Sequence, residues 1–257
     1  MSESRQIVHW TASPFALLAT PPKADDVPDA FHETACVMVL LHNIIVRGMN
    51  TIYHYAPILS SSSVSQRDKA DFVTYALAWH EFLHGHHEGE EKYYFPAMES
   101  QAGAPGFMDS NVAQHEAFQP GLAEFHDYLT STSAPTRTGE RLREIIDSFA
   151  PDLVLHLHDE IPTILALGRA HPNVDIAAID EVHAKHMLDT VDKFRFIPFM
   201  VSNLDHGFED GKWKHWPPKP PVVVGWLVKW VFPLVYRGAW RFSSCEELRL
   251  RDEPMKF

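Results

Sequence analysis

The chain is nearly without cysteine. Cys36 and Cys245 are the two present in 257 residues, which leaves no disulfide framework and fits a reducing, cytoplasmic interior. It also lacks a basic surplus. With 22 lysines and arginines against 34 acids, the net charge of −12 excludes partners held by a nucleic-acid phosphate backbone. The start, Met1-Ser2-Glu3-Ser4-Arg5, lacks the apolar run of a secretion signal, and no internal repeat is visible. The most apolar stretch, Val222–Tyr236, is interrupted by Lys229 and Pro233 and falls short of the ~20 residues that a membrane span needs. It is expected to pack back on the body of the protein, with contact to a membrane surface through 222–236 as the alternative.

What the chain has in abundance is histidine, 17 in all, the commonest metal-ligating side chain. Hydrophobic residues at 45% with 22% charged describe a soluble globular chain, of a length for one large domain or a domain with an appendage.

Residues 1–28 carry Pro14, Pro21, Pro22 and Pro28 without a sustained period and read as an extended arm. From Asp29 the pattern changes. Phe31, Ala35, Met38, His42, Ile45, Met49 and Ile52 step by four and three, the signature of a long amphipathic helix with His42 midway along its buried stripe. Ser60–Ser63 make a polar loop. A second helix over about 67–94 carries Phe72, Ala76, Trp79 and Leu83 inward and is expected to stop near Pro96. After a turn-rich connection, His115, Phe118, Leu122, Phe125 and Leu129 mark a third helix. Beyond the polar loop Thr130–Gly139, a fourth carries Leu142, Ile145, Phe149, Leu153, His156, Glu160, Ile164 and Leu167, with a bend expected at Pro151 and Pro162.

Four long helices on short connections predict an all-α fold, an up-down-up-down four-helix bundle over residues 29–170. Residues 171–257 then form a C-terminal helical and irregular extension. It holds a fifth helix over 175–191 with His183 and His186 at the surface, an aromatic-rich irregular stretch at 194–214, and a stiff hinge at Pro217, Pro218, Pro220 and Pro221.

The run His86-His87-Glu88-Gly89-Glu90-Glu91 contains two overlapping pairs, His86/Glu90 and His87/Glu91. Residues four apart share a helix face at ~6 Å, within the reach of one metal ion. Stepping from Phe72 through Leu83 lands on His86 and Glu90, which are therefore placed inward. His80, His84, His87 and Glu91 fall on the neighbouring stripe and read as a solvated face. Each helix thus offers one inward histidine, namely His42, His86, His115 and His156, and two helices add Glu90 and Glu160. Singly, each has a blander reading as a core histidine or a helix-surface pair. Jointly, without metal, they would be a knot of desolvated polar groups. Four imidazoles and two carboxylates suit two metal ions, each on two histidines, with both carboxylates bridging and positions left open for a small molecule. Nitrogen and oxygen donors favour iron, manganese or zinc over thiolate-seeking metals.

These residues resemble the hemerythrin-like, or HHE cation-binding, family. The resemblance rests on His42-Asn43, the run His86-His87-x-x-Glu90-Glu91-x-x-x-Phe95-Pro96, His115-Glu116 and His156-Leu157-x-x-Glu160. It covers roughly residues 30–170 and implies a non-haem di-iron centre that meets dioxygen, nitric oxide or peroxide, with zinc or manganese as substitutes for the two irons. Oxygen carriers of the family have a second histidine one turn after the first in the third helix, where this chain has Gln119. Its set of four histidines and two glutamates looks instead like relatives implicated in nitric-oxide responses, iron-centre repair and iron sensing. Stable oxygen carriage is therefore not expected. Two alternatives stand beside this reading: a di-iron oxidoreductase acting on an organic substrate under a lid formed by the extension, and an iron or oxygen sensor that unfolds on metal loss.

Overall fold

The first long helix, α1 (Asp29–Tyr55), follows Pro28 and carries the chain through the centre of the fold. The computed structural model describes residues 9–133 and 136–257. The segment Met1–Arg5 and residues 134–135 of the loop expected over Thr130–Gly139 lie outside the described residues. By length and composition α1 and the turn after it, Asp29–Leu59, could cross a membrane, yet 89% of the apolar window is buried inside the protein. Its apolar character serves a core that surrounds it. On the face away from the centre, two buried asparagines seven residues apart hold the N-terminal arm. Asn43 Oδ1 accepts from the Leu18 amide at 2.8 Å and its Nδ2 donates to the Leu18 carbonyl at 2.9 Å. Asn50 does the same for Phe15 and also donates to the Thr11 carbonyl. An extended arm cannot pair its own backbone, so side-chain amides supply the missing partners.

α2 (Gln66–Gly89) starts at Ser65, whose Oγ accepts from the Asp68 amide at 3.1 Å. It does not stop near Pro96. A π-helical turn, Glu90–Tyr94, leads directly into α3 (Phe95–Ala102), which ends at the left-handed Gly103 (φ 62°). The wider π turn gives the proline ring room where an α-helical carbonyl would clash. α4 (Asp109–Ser131) contains Pro120, and α5 (Gly139–Ala170) runs on through Pro151 and Pro162. α1 packs on α2 and α5, and α4 packs on the same two helices, so the four close a ring of contacts. Aliphatic and aromatic side chains fill the ring, including Phe31, Phe72, Trp79, Phe118, Phe125 and Phe149.

The extension is more ordered than its sequence suggests. α6 (Ile176–Thr190) is capped by Asp175 as expected of a fifth helix. The stretch read as irregular contains α7 (Lys193–Asn203), a helix with Pro198 inside it. Its aromatic side chains face α2, with Phe196 stacked on Phe82 at 4.8 Å and Phe199 beside Tyr75 at 5.5 Å. Burial of that face outweighs the proline's cost. A short turn, α8 (Phe208–Gly211), ties to the arm, because Glu209 accepts from the Thr20 amide and hydroxyl. α9 (Val222–Trp230) does not pack back on the body. None of its residues is buried, and Val222, Trp226 and Trp230 are 89%, 57% and 58% exposed. The chain then returns through the buried Trp240 and Phe242 to a two-stranded antiparallel pair, β1 (Cys245–Glu246) and β2 (Arg249–Leu250).

Candidate metal centre

The ring of α1, α2, α4 and α5 encloses an unusual set of fully buried polar side chains. His42, His86, Glu90, His115, His156 and Glu160, the six sequence candidates, all lie there, and none is more than 4% exposed. They sort into two clusters, each with donor atoms within 4.8 Å of one another. One is His42, His86, Glu90 and Glu160; the other is His87, Glu90, His115 and His156.

His87 corrects the sequence reading. Placed on the solvated stripe with His80, His84 and Glu91, it is in fact 1% exposed and belongs to the second cluster. Leu83 is followed at three residues by His86 and at four by His87, and a 3.6-residue period admits both steps. The two imidazoles straddle the inward direction, one toward each cluster. Glu91 is corrected in part. Its side chain is 40% exposed, but Oε1 accepts from His115 Nδ1 at 2.7 Å. His84 is exposed as expected. The adjacent His-His pair, each with a glutamate four residues on, was the signal for His87, and assuming a single inward stripe hid it.

Hydrogen bonds fix two of the imidazoles. His42 Nδ1 donates to the Leu157 carbonyl at 2.8 Å, which turns Nε2 toward Glu160 Oε2 at 3.1 Å. The Glu91 carboxylate does the same for His115, whose Nε2 lies 3.0 Å from His156 Nε2. With metal–nitrogen bonds of about 2 Å, neighbouring donors on one ion sit roughly 3 Å apart. Glu90 spans the clusters, with Oε1 3.1 Å from His86 Nε2 and Oε2 3.7 Å from His115 Nε2. Glu160 Oε2 also lies between them, 3.9 Å from His156 Nε2.

The donor set fits two cations. Both oxygens of Glu90 and Glu160, both nitrogens of His87, and Nε2 of His42 and His86 are buried with no hydrogen-bond partner among the described residues. Orphaned polar atoms at this density are costly and rare in protein interiors. Burial first, then the neighbouring imidazoles, pushes His86, His87 and His156 well below the ordinary histidine pKa, so they are neutral and offer lone pairs. Burial, then the nearby Glu160 and Glu91, pushes Glu90 well above the ordinary carboxyl pKa. A cation between these groups removes both penalties.

Aromatic side chains close the site. Phe118 lies 5.0 Å from the His87 ring and 5.8 Å from His156, and Phe95 stacks near His115 at 5.8 Å. Gln119, in the place of a carrier's second histidine, is exposed and does not face the centre. With His87 from α2, five imidazoles lie in the two clusters. His183, expected at the surface, is partly buried, stacks on Tyr94 at 4.9 Å, and is held by burial at a pKa of about 4. Tyr94 donates to Asp180, which also accepts from Thr34, tying α6 to the π turn and to α1. A cavity of about 400 Å³ opens between α2 and α6, with Gly85 and Gly89 on its wall.

Five imidazoles and two carboxylates inside a helical body are the makings of a metal-binding protein. The hemerythrin HHE cation binding domain matches residues 37–167, just over half of the chain, which therefore belongs to that family. The chain is 34% identical over 249 residues to the dimeric xanthone biosynthesis cluster protein R11 of Cryptosporiopsis sp. (strain 8999), covering 96% of this chain and 91% of that protein. No solved structure matches it.

Proposed function

We propose that the chain is a non-haem di-iron protein that binds dioxygen, nitric oxide or peroxide, built as an up-down-up-down bundle of α1, α2 with α3, α4 and α5. The observation that carries this reading is Glu90, one buried carboxylate whose two oxygens face different imidazole groups. His42, His86 and Glu160 would share one ion with Glu90, and His87, His115 and His156 the other. When bound, the two ions supply one-electron exchange with a small oxidant. The protein's part is to orient and to exclude. The Leu157 carbonyl and Glu91 hold two rings in one tautomer, while Phe95 and Phe118 keep water off the donors. The division into an arm (1–28), a metal-binding body (29–170) and an extension (171–257) belongs to the same proposal. So does a cytoplasmic location, supported by two buried, unpaired cysteines.

Metal analysis with an optical spectrum of aerobically purified protein tests this. Two irons per chain with near-ultraviolet ferric absorption is the expected result. A folded, iron-replete preparation holding one ion or none overturns it.

A second reading, a di-iron oxidoreductase acting on an organic substrate, is favoured by the relative named for a dimeric xanthone biosynthesis cluster. Joining two aromatic units, with peroxide taking up the two hydrogens and leaving as two waters, is an oxidation that such a centre would support. The cavity between α2 and α6 would admit part of such a substrate. Spectra that return on cycling oxygen out and in support the binder; irreversible oxidation that speeds up with an aromatic substrate supports the oxidoreductase.

A further inference from the structure

The segment from Lys212 to Cys245 differs in kind from the rest of the chain. It holds six cations, Lys212, Lys214, Lys219, Lys229, Arg237 and Arg241, and no aspartate or glutamate, leaving 16 cations against 34 acids elsewhere. It also holds five of the seven tryptophans. Of the 14 large apolar side chains exposed among the described residues, eight fall within residues 222–236. Three of them share one face of a helix. Val223, Trp226 and Trp230 are spaced by three and four and share one face of α9, and Leu234, just beyond the helix, is 65% exposed.

This surface is held in place at both ends. Before it, Trp213 Nε1 donates to Glu209 at 3.0 Å, and His206 Nε2 meets the Trp216 carbonyl at 3.0 Å. After it, Phe232 packs edge-on against Phe194 at 5.2 Å, and the buried Trp240 donates to the Val235 carbonyl at 3.0 Å. The helix between these anchors stands clear of the body. Lys214, Lys219, Lys229 and Arg237 have no carboxylate partner among the described residues, whereas Arg241 is taken up by Asp68 and Asp71.

We propose that α9 and its flanks dock on an anionic membrane surface, with α9 lying in the interface and the lysines on lipid headgroups. Tryptophan is the side chain that favours the boundary between headgroup and acyl chain. Unpaired lysines around an apolar strip add attraction to anionic lipid. At nine residues α9 is far too short to span a bilayer, so the contact is peripheral. A second copy of this chain is the poorer occupant, because two such cationic faces would repel each other. This inference is independent of the metal and its chemistry.

The test is flotation of the full-length, metal-loaded protein with two kinds of vesicle. One is phosphatidylcholine alone; the other is phosphatidylcholine mixed with phosphatidylserine. The protein is expected to float with the phosphatidylserine vesicles, with a blue-shifted tryptophan emission, and to be released by salt. The Trp226→Ser/Trp230→Ser variant should lose flotation. Lys219→Gln/Lys229→Gln should lower the partition about 25-fold, at about fivefold per charge near the surface. Because these side chains are exposed, circular dichroism and metal content should be unchanged in both variants. No flotation with either vesicle overturns the proposal, as does equal flotation with both. A dimer that depends on Trp226 and Trp230 in the absence of vesicle binding overturns it in favour of self-association.

Discussion

Both ring nitrogens of His87 are buried without a hydrogen-bond partner among the described residues, so packing alone does not account for an imidazole there. His87→Ala is expected to lower bound metal from two ions per chain toward one, because the second cluster keeps only Glu90, His115 and His156. The exposed His84 is the control, and His84→Ala should leave the stoichiometry unchanged. Metal analysis of the two variants decides, and an unaffected His87→Ala protein would return His87 to a packing role. Glu91→Ala removes only the acceptor that orients His115, so both ions should remain with affinity reduced about 10–100-fold, readable by chelator competition. The sequence made six of the clustered polar side chains legible because each fell on an apolar stripe. It hid His87 because two adjacent residues can both lie within the inward arc of one helix, which a single stripe does not describe.

At the level of elements, the order and spacing of α1, α2, α4 and α5 were readable from periodicity. Where one helix followed another without a break, sequence signals misled. Pro96 read as a stop and the stretch 194–214 as irregular, yet the π turn accommodates the proline and aromatic burial against α2 forms α7. α9 failed in the other direction, since an apolar run does not say what, if anything, covers it. The junction of α1, α2 and α7 depends on a close approach at Gly48. A Cβ there would sit 2.6 Å from Trp79 Cδ1 and 2.7 Å from Phe199 Cζ, both on buried rings with little freedom to move. Gly48→Ala should therefore cost about 1–3 kcal/mol by overpacking, although alanine is the better helix former. Urea midpoints of variant and parent check this; a stabilised variant would mean that α7 can lift away from α1 at little cost.

For the whole molecule, the buried donors make stability depend on metal and pH together. In chelated protein, His86, His87 and His156 are neutral in the fold, while in the unfolded chain they take up protons below the ordinary 6.5. The unfolded state then binds more protons, and stability falls as pH falls through that range. Glu90 acts oppositely. Its raised pKa keeps it protonated in the fold while the unfolded carboxyl ionises above the ordinary 4.5, so its contribution is lost as pH rises. Between these two values the imidazoles outnumber the one carboxyl, so the stability of the chelated protein rises with pH. Above the imidazole range only the carboxyl remains, with a shallower decline of up to about 1.4 kcal/mol per unit. Metal loading ionises Glu90 in the fold as well, which removes the alkaline decline, and binding to the native state alone raises stability at every pH where the donors are free. Urea unfolding of chelated and reloaded protein between about pH 5 and 8 should give a profile peaking near neutrality for the first. The second should give a higher profile, flat on the alkaline side. Identical profiles would mean that the metal does not sit on Glu90, and a chelated profile without an acid slope would mean that the three imidazoles are not held neutral in the fold.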